Sequence, residues 1–491
     1  MREWRGAQDA LERPTYKNPP PSASLRRHNW TDRRGGRLNN QHSAALTPAA
    51  AADQADRQGW YLVFTLLIFY IFSFIDRQII SLLVEPIKRD LQVTDTQIGL
   101  LQGLAFAIFY TLFGIPIGRL ADRMNRKTIV GVGVVIWSLM ATLCGLAKNF
   151  TQLFLARIGV GVGEAALSPA AYSMITDAFP REKLGRAFSV YNMGIAIGSG
   201  TAILVGGLVV AAVSGEGRTF SLPLLGEVRA WQFVFIVTGA PGLLLPLLLL
   251  SVREPTRRGL LKTAGNEAPT KLPLREVIAF MAKNGHFYSL HFMAMAMMAM
   301  LGYAVGAWLP TVMVRTYGLN VGTVGQVLGL STITINTIGI FLAGRICDRL
   351  TKLGKTDAPI RVCFGVAIAV VATSALPAFM PTATLGLVMM CVAGLPFHGY
   401  VAMGPMAVNQ VTPNQMRAQV SAVYLFTVNF LGLGFGPALV PMISDYVLRD
   451  PMQIRWGLLI VVVTAGTIAA ILLWFVRPVY RQQVAQSAQW Q

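Results

Sequence analysis

Apolar runs long enough for a helix to cross a bilayer, which takes roughly 20 largely uncharged residues, recur twelve times along this chain. They fall at 60–84, 97–117, 128–147, 151–176, 187–213, 231–252, 287–314, 323–343, 360–379, 383–409, 418–443 and 456–476. The longest polar stretch between them runs from Arg253 to Lys283 and carries Arg257, Arg258, Lys262, Pro269 and Pro273. It separates the sixth run from the seventh. The pattern predicts an all-α polytopic membrane protein with two six-helix halves: a disordered tail over 1–59, a bundle over 60–252, a linker over 253–285, a second bundle over 286–477 and a tail over 478–491.

Composition agrees, since 54% of the 491 residues are hydrophobic and 13% charged, more apolar surface than soluble domains of ordinary size can bury. A formal charge of +19 would point to nucleic acid in a soluble protein, but its distribution follows the membrane. With the N-terminus in the cytosol, 32 of the 42 Lys and Arg fall on the cytosolic side, 8 outside and 2 within spans. The positive-inside rule then sets both termini in the cytosol. The clusters Arg119, Arg123, Arg126, Lys127 and Arg345, Arg349, Lys352, Lys355 read as loop anchors facing anionic lipid rather than nucleic acid. Residues 1–59 lack the apolar core and cleavage site of a secretory signal, and the loops outside are short, which fits a bacterial cytoplasmic membrane. Cys144, Cys347, Cys363 and Cys391 fit no disulfide framework or zinc site and read as small packing residues.

An internal repeat divides the chain at the same place. Gly118-Arg-Leu-Ala-Asp122-Arg123 after the second run reappears as Gly344-Arg-Ile-Cys-Asp348-Arg349 after the eighth. With Arg126 and Lys127, the first copy resembles the signature loop of the major facilitator superfamily, Gly-x-x-x-Asp-Arg-x-x-Arg-Arg/Lys, and the resemblance covers residues 60 to 477. It implies the major facilitator fold and a secondary transporter with its site at the midplane between the halves. Gly118 allows a neighbouring helix to approach, and Asp122 can face the positive N-terminal end of the eleventh span, closing a cytosolic gate. Asp177 is the expected partner of Arg123, and Asp348 is expected to do the mirror-image work against the fifth span, beside Gly344 and Arg349.

Four charges lie inside the apolar runs: Asp76 and Arg77 in the first, Arg157 and Glu164 in the fourth. Each costs at least roughly 2.5–3.5 kcal/mol near the bilayer centre, so such groups pair, face a cavity and carry function. Seven residues apart, Arg157 and Glu164 share one helix face about 10 Å apart in height, with Val160 and Gly161 leaving room between them. Asp76 and Arg157 lie at similar depth, so an Asp76–Arg157 ion pair is expected. The quartet reads as a proton switch: Glu164, with Asp76, exchanges a proton, and Arg77 and Arg157 either pair internally or hold an anionic head group.

The adjacent Asp76-Arg77, together with Arg157, Gly161, Gly163 and Glu164, resembles Spinster-like transporters. That resemblance implies a proton-linked carrier of an amphiphilic substrate such as a lysophospholipid or sphingoid phosphate; a small organic anion taken by proton symport is the alternative. One departure is that the fifth span reads Gly198-Ser-Gly200 where the antiporter motif has a Gly-Pro core, which leaves antiport, symport and uniport open. The seventh span offers Met293, Met295, Met297, Met298 and Met300 as an adaptable surface for an alkyl chain, followed by Tyr303. His398 is the one histidine well inside a run, and Asn336, Tyr424 and Asn429 are further candidates for lining the site or bonding between helices. Enzyme and nucleotide-loop motifs are absent, which argues against an enzyme, an ATP-driven pump and any cofactor. The expected partners are a small amphiphilic or anionic substrate, the proton and the lipid bilayer, around a monomer; a membrane receptor that does not transport is the rival class.

Overall fold

The computed structural model describes residues 48–487 apart from 180, 214–218, 223–225, 257–273, 375 and 414–415. Twelve helices among them are long and apolar enough to cross a membrane: Asp56–Leu82, Asp95–Gly118, Arg126–Cys144, Phe150–Ala178, Arg186–Val210, Ala230–Ser251, Gly285–Tyr317, Val321–Lys352, Ala358–Phe379, Ala383–Gln410, Gln419–Val447 and Pro451–Ser487. They are called spans 1 to 12 below. The end of the bundle where span 1 begins and span 12 finishes is the terminal face, and the opposite end the far face. Each span covers its predicted run to within a few residues, except where helices continue into segments expected to be irregular.

Those continuations have local causes. The first helix is described from Pro48 onward, through Ala49–Ala52, which are the strongest helix formers. The predicted tail is therefore helical from residue 48, and its earlier part lies outside the described residues. Within the predicted linker, Leu274–Lys283 is a helix that buries Val277 and exposes Arg275 and Glu276, an amphipathic helix along the surface; residues 257–273 lie outside the described residues. Span 12 runs helically to Ser487, into the predicted C-terminal tail. On the far face, Thr219–Leu222 and Gly226–Arg229 pair antiparallel, with Thr219 opposite Arg229.

The spans that carry candidate residues are broken. Span 1 changes from α to 3₁₀ winding at Ile79–Leu82, directly after Arg77 and Gln78. Span 2 divides at Gly103 into Asp95–Gln102 and Leu104–Arg123. There a Cβ would lie 2.7 Å from the Leu433 carbonyl oxygen of span 11, so only glycine permits the approach. Span 4 divides directly after Glu164 and resumes at Leu167. Span 10 divides at His398, just past Pro396, whose missing N–H interrupts the ladder. Spans 8 and 11 hold π-helical segments at Thr332–Asn336, Asn429–Leu433 and Ile443–Val447.

Two apolar cores hold the bundle. One lies in the first half around Phe69, Phe106, Trp137, Met174 and Tyr191. The other fills the second half and continues across the far face into Ile79, Ile80, Ile98 and Leu101 of spans 1 and 2. The halves are thus joined at the far face by buried side chains. Polar contacts add to this: Arg315 donates to Asp95 at 2.7 and 2.9 Å and to Glu85 at 2.6 Å, and Thr96 donates twice to Asp445. Gln78 donates to the Gly306 carbonyl at 3.0 Å, from the first half to the second, and within the second half Trp308 donates to the Pro437 carbonyl at 2.6 Å.

Candidate functional site

Ser73 and Arg77 stand one helical turn apart on span 1, so their side chains project from the same face. Both reach Glu164 of span 4: Ser73 Oγ donates to Oε2 at 2.5 Å, and Arg77 does so through Nε and Nη2, each at 2.5 Å. Glu164 is buried, and its Oε1 has no hydrogen-bond partner. The Arg77 guanidinium lies over three aromatic rings, 4.8 Å from the centroid of Phe74, 4.5 Å from Phe106 and 4.9 Å from Tyr110. Such contacts hold a cation at about 0.5–2 kcal/mol each, more when desolvated. A carboxyl group and an arginine are therefore kept together deep in the bundle, with one carboxyl oxygen unused.

The expected Asp76–Arg157 ion pair is not formed. Arg157 is buried and donates through Nη1 to the backbone carbonyl of Asp76 at 3.0 Å and through Nε to that of Leu101 at 3.4 Å. Both carbonyls lie within a turn of a helix break, where the i→i+4 partner is lost and a buried oxygen needs another donor. Arg157 thus ties spans 1, 2 and 4 through their backbones, and its guanidinium sits 5.9 Å from Phe106. The Asp76 carboxyl is buried with Oδ1 unpartnered. Gly161 does not leave room as expected, because a Cβ there would lie 2.7 Å from the Phe106 carbonyl oxygen of span 2.

In the second half the structure brings two candidates together: the Asn336 amide of span 8 donates to His398 Nδ1 of span 10 at 3.2 Å. Tyr303 of span 7 packs against the first-half core and lies within electrostatic range of Arg77. Tyr424 and Asn429 stand apart from that group. Tyr424 is buried against Phe292 and His291, and Asn429 bonds the Leu425 carbonyl of its own helix at 2.9 Å. Of the span 7 methionines, Met295 and Met298 are buried in the core while Met293 is exposed, so part of the surface foreseen for an alkyl chain packs between helices. His398 is not the one histidine inside a span. His291 of span 7 is fully buried, with Nε2 3.0 Å from the Gly404 carbonyl and Nδ1 unpartnered.

Among the gating candidates, Asp177 pairs with Arg126, while the side chain of its expected partner Arg123 lies outside the described residues. Arg126 is buried and also bonds Ser173 at 2.9 Å, Glu254 at 3.1 Å and the Pro255 carbonyl at 2.8 Å. The side chain of Asp122 likewise lies outside the described residues. A Cβ added at Gly118 would meet only Pro169 of its own half within 4 Å, and one at Gly344 nothing, among the described residues. Asp348 and Arg349 are exposed, with no ion pair among the described residues, and the entry to span 5 that Asp348 is expected to face lies partly outside those residues.

Sequence reasoning missed Ser73, Phe106, Tyr110 and Glu254. Two of the pairings had a signal: Ser73 with Arg77 and Phe106 with Tyr110 are each four residues apart, one face of a helix. Glu254 had none, because the closing of span 6 on span 3 is a tertiary event.

A family model described as Major Facilitator Superfamily matches residues 66–437. The chain is 29% identical over 471 residues to an MFS-type efflux pump of Mycolicibacterium smegmatis, covering 91% of this chain and all of that protein. It is 26% identical to a probable L-galactonate transporter of Escherichia coli, covering 83% and 88%. Among solved structures it is similar to a bacterial homologue of the human lysosomal transporter Spinster, inward-facing and unoccupied, with a TM-score of 0.71 and 27% identity over 88% of this chain and 98% of that one.

Proposed function

This chain belongs to the Major Facilitator Superfamily and is Spinster-like within it, and from that premise we propose a proton-coupled carrier of an anionic amphiphile working through Glu164 and Arg77. It is an integral membrane transporter of a small molecule and not an enzyme. The observation that carries the coupling is the Ser73–Arg77–Glu164 cluster, in which a buried carboxylate occupies the same guanidinium that an anionic head group would need. Protonating Glu164 removes the competing charge and leaves Arg77 uncompensated among its aromatic rings. Proton and anion then favour each other's binding, which is linkage of the kind that drives symport. In this reading Asp76, buried with an unpartnered oxygen, is a second proton site; Arg157 positions the helices; and Tyr303, Asn336 and His398 face the substrate from the second half. The terminal face is cytosolic, given the distribution of Lys and Arg, in the inner membrane of a bacterium, and the working unit is a monomer.

A sugar acid is the second reading, favoured by relatives named for L-galactonate and hexuronate transport and by the burial of Met295 and Met298. Uptake by purified protein in liposomes under an imposed pH gradient separates the two, with a lysophospholipid and galactonate offered in parallel. The expected result is gradient-driven uptake of the lysophospholipid that is abolished in Glu164→Gln and Arg77→Ala. Galactonate uptake alone would select the second reading, and gradient-independent uptake unchanged in Glu164→Gln would exclude proton coupling through this residue.

A further inference from the structure

The second half carries a charge cluster at the terminal face that the transport cycle does not use. Asp357, at the start of span 9, is buried and accepts from three arginines: Arg361 Nε at 2.6 Å, Arg477 Nε at 3.3 Å and Arg481 Nη2 at 2.9 Å. One carboxylate meets three guanidiniums, so the cluster keeps two uncompensated positive charges. An arginine has five N–H donors, and each of these has one recorded bond to Asp357. The remaining donors have no acceptor among the described residues. Side-chain exposures of 29% for Arg361, 18% for Arg477 and 47% for Arg481 leave those donors accessible.

The first half makes the opposite arrangement at the corresponding place. There Arg126, at the start of span 3, is buried between Asp177 and Glu254, the latter just past span 6, and bonds Ser173 and the Pro255 carbonyl as well. That cluster encloses its arginine between two carboxylates. The Asp357 cluster joins the equivalent helices, spans 9 and 12, and is open and basic.

Directly beside it, one or two turns deeper in the membrane, an apolar groove runs between the same two spans. Phe364, Ile368, Ala470, Ile471, Trp474 and Phe475 line it. Trp474 and Phe475 are 56% and 58% exposed, and the Arg477 guanidinium stacks 5.3 Å from the Trp474 ring centroid. An apolar furrow facing the bilayer, an interfacial tryptophan and a basic cluster at its mouth match the two ends of one ligand class. Acyl chains fit the furrow, and phosphate oxygens fit the free guanidinium donors as charge-assisted hydrogen bonds.

We propose that the groove between spans 9 and 12, headed by Arg361, Arg477 and Arg481 around Asp357, is a binding site for an anionic phospholipid. Asp357 is a positioning residue: it gathers three arginines that would otherwise repel one another and turns their outer donors toward the head group. The site is separate from the Glu164 cluster and holds whether or not that cluster couples protons.

Native mass spectrometry of the full-length protein, delipidated in detergent and titrated with phosphatidylglycerol or phosphatidylcholine, tests the assignment. The wild type is expected to retain phosphatidylglycerol preferentially. Each basic residue near a head group supports binding about fivefold, so Arg481→Gln should lower that preference about fivefold, and Arg361→Gln with Arg481→Gln should abolish it. Arg361→Lys with Arg481→Lys should keep most of it, which separates loss of charge from loss of fold. Trp474→Ala should weaken retention of both lipids. Equal retention of the two lipids by wild type, or an undiminished preference in the double glutamine variant, would overturn the proposal. So would displacement of the lipid by millimolar inorganic phosphate with Trp474→Ala inert, since the cluster would then be a phosphate site without a lipid groove.

Discussion

At the scale of single residues, the two buried arginines do different work although both sit beside a carboxylate in sequence or space. Arg77 answers a side chain, Glu164, whereas Arg157 answers backbone oxygens of Asp76 and Leu101. Removing one member of a buried pair costs about 3–5 kcal/mol because the other charge is stranded. Arg77→Ala should therefore lower the thermal unfolding midpoint in detergent, and Arg77→Ala with Glu164→Gln should recover much of the loss. A midpoint that falls further in the double variant would show that the two side chains do not depend on each other. Binding of the anion has a sign as well: protonation of Glu164 frees Arg77, so affinity should rise as pH falls, and Glu164→Gln should bind tightly at every pH. Isothermal titration of the substrate across pH checks this, and a pH dependence that survives in Glu164→Gln would move the proton site elsewhere, with Asp76 the next group to replace. The four buried charges were legible in the sequence because ionised groups stand out in apolar runs. Their pairing was not, since Arg157 follows carbonyls released by helix breaks that no spacing announces.

At the scale of elements, the breaks themselves carry the pattern. Span 4 stops at Glu164 and span 10, its counterpart in the second half, stops at His398. Span 8 ends a π-helical segment at Asn336, and span 11 begins one at Asn429. Irregular backbone at membrane depth survives only where protein or a lined cavity satisfies its polar groups, and π-segments concentrate where side chains must be aimed. The twelve spans were readable from hydropathy to within a few residues, while these interruptions, apart from those next to Pro396 and Gly103, left no mark in composition. Helix ends also hold each half together, through Arg126 in the first and Asp357 in the second. Burial pushes the Asp357 carboxyl up, but hydrogen bonds from Arg361, Arg481 and Arg477 outweigh it and hold the group below the ordinary carboxylate range. A depressed carboxylate contributes stability that is present above its unfolded value of about 3.9 and is lost as pH falls through the folded one. The thermal midpoint should accordingly drop on acidification below about pH 4, and Asp357→Asn should be less stable at neutral pH with a shallower acid limb. Parallel pH profiles for the two proteins would contradict this.

At the scale of the whole molecule, the two halves are held together at the far face, a contact that alternating access must make in one state and break in the other. The far-face lock combines an apolar core shared by spans 1, 2, 7 and 11 with the Arg315 fork on Asp95 and Glu85. Lys88 also reaches Asp95 at 2.5 Å from within the first half, so Arg315 is the part of the cluster that crosses between halves. Its removal should leave the fold intact and shift the balance between states, because Asp95 keeps one cation while the bridge is lost. Every 1.4 kcal/mol of lost bridging changes the ratio of closed to open about tenfold, enough to populate a minor state visibly. Spin labels at Gln92→Cys and Arg449→Cys, exposed far-face positions on opposite halves, report that balance by electron–electron double resonance. The wild type should give one short distance, and Arg315→Ala should add a longer one. Asp95→Asn should do the same, since a neutral amide forfeits both Arg315 and Lys88. If both variants keep the single short distance, the lock resides in the shared apolar core that includes Ile98, Leu101, Trp308 and Val440. The signature loops of the terminal face, with Asp122 and Asp348, would then be the next elements to replace.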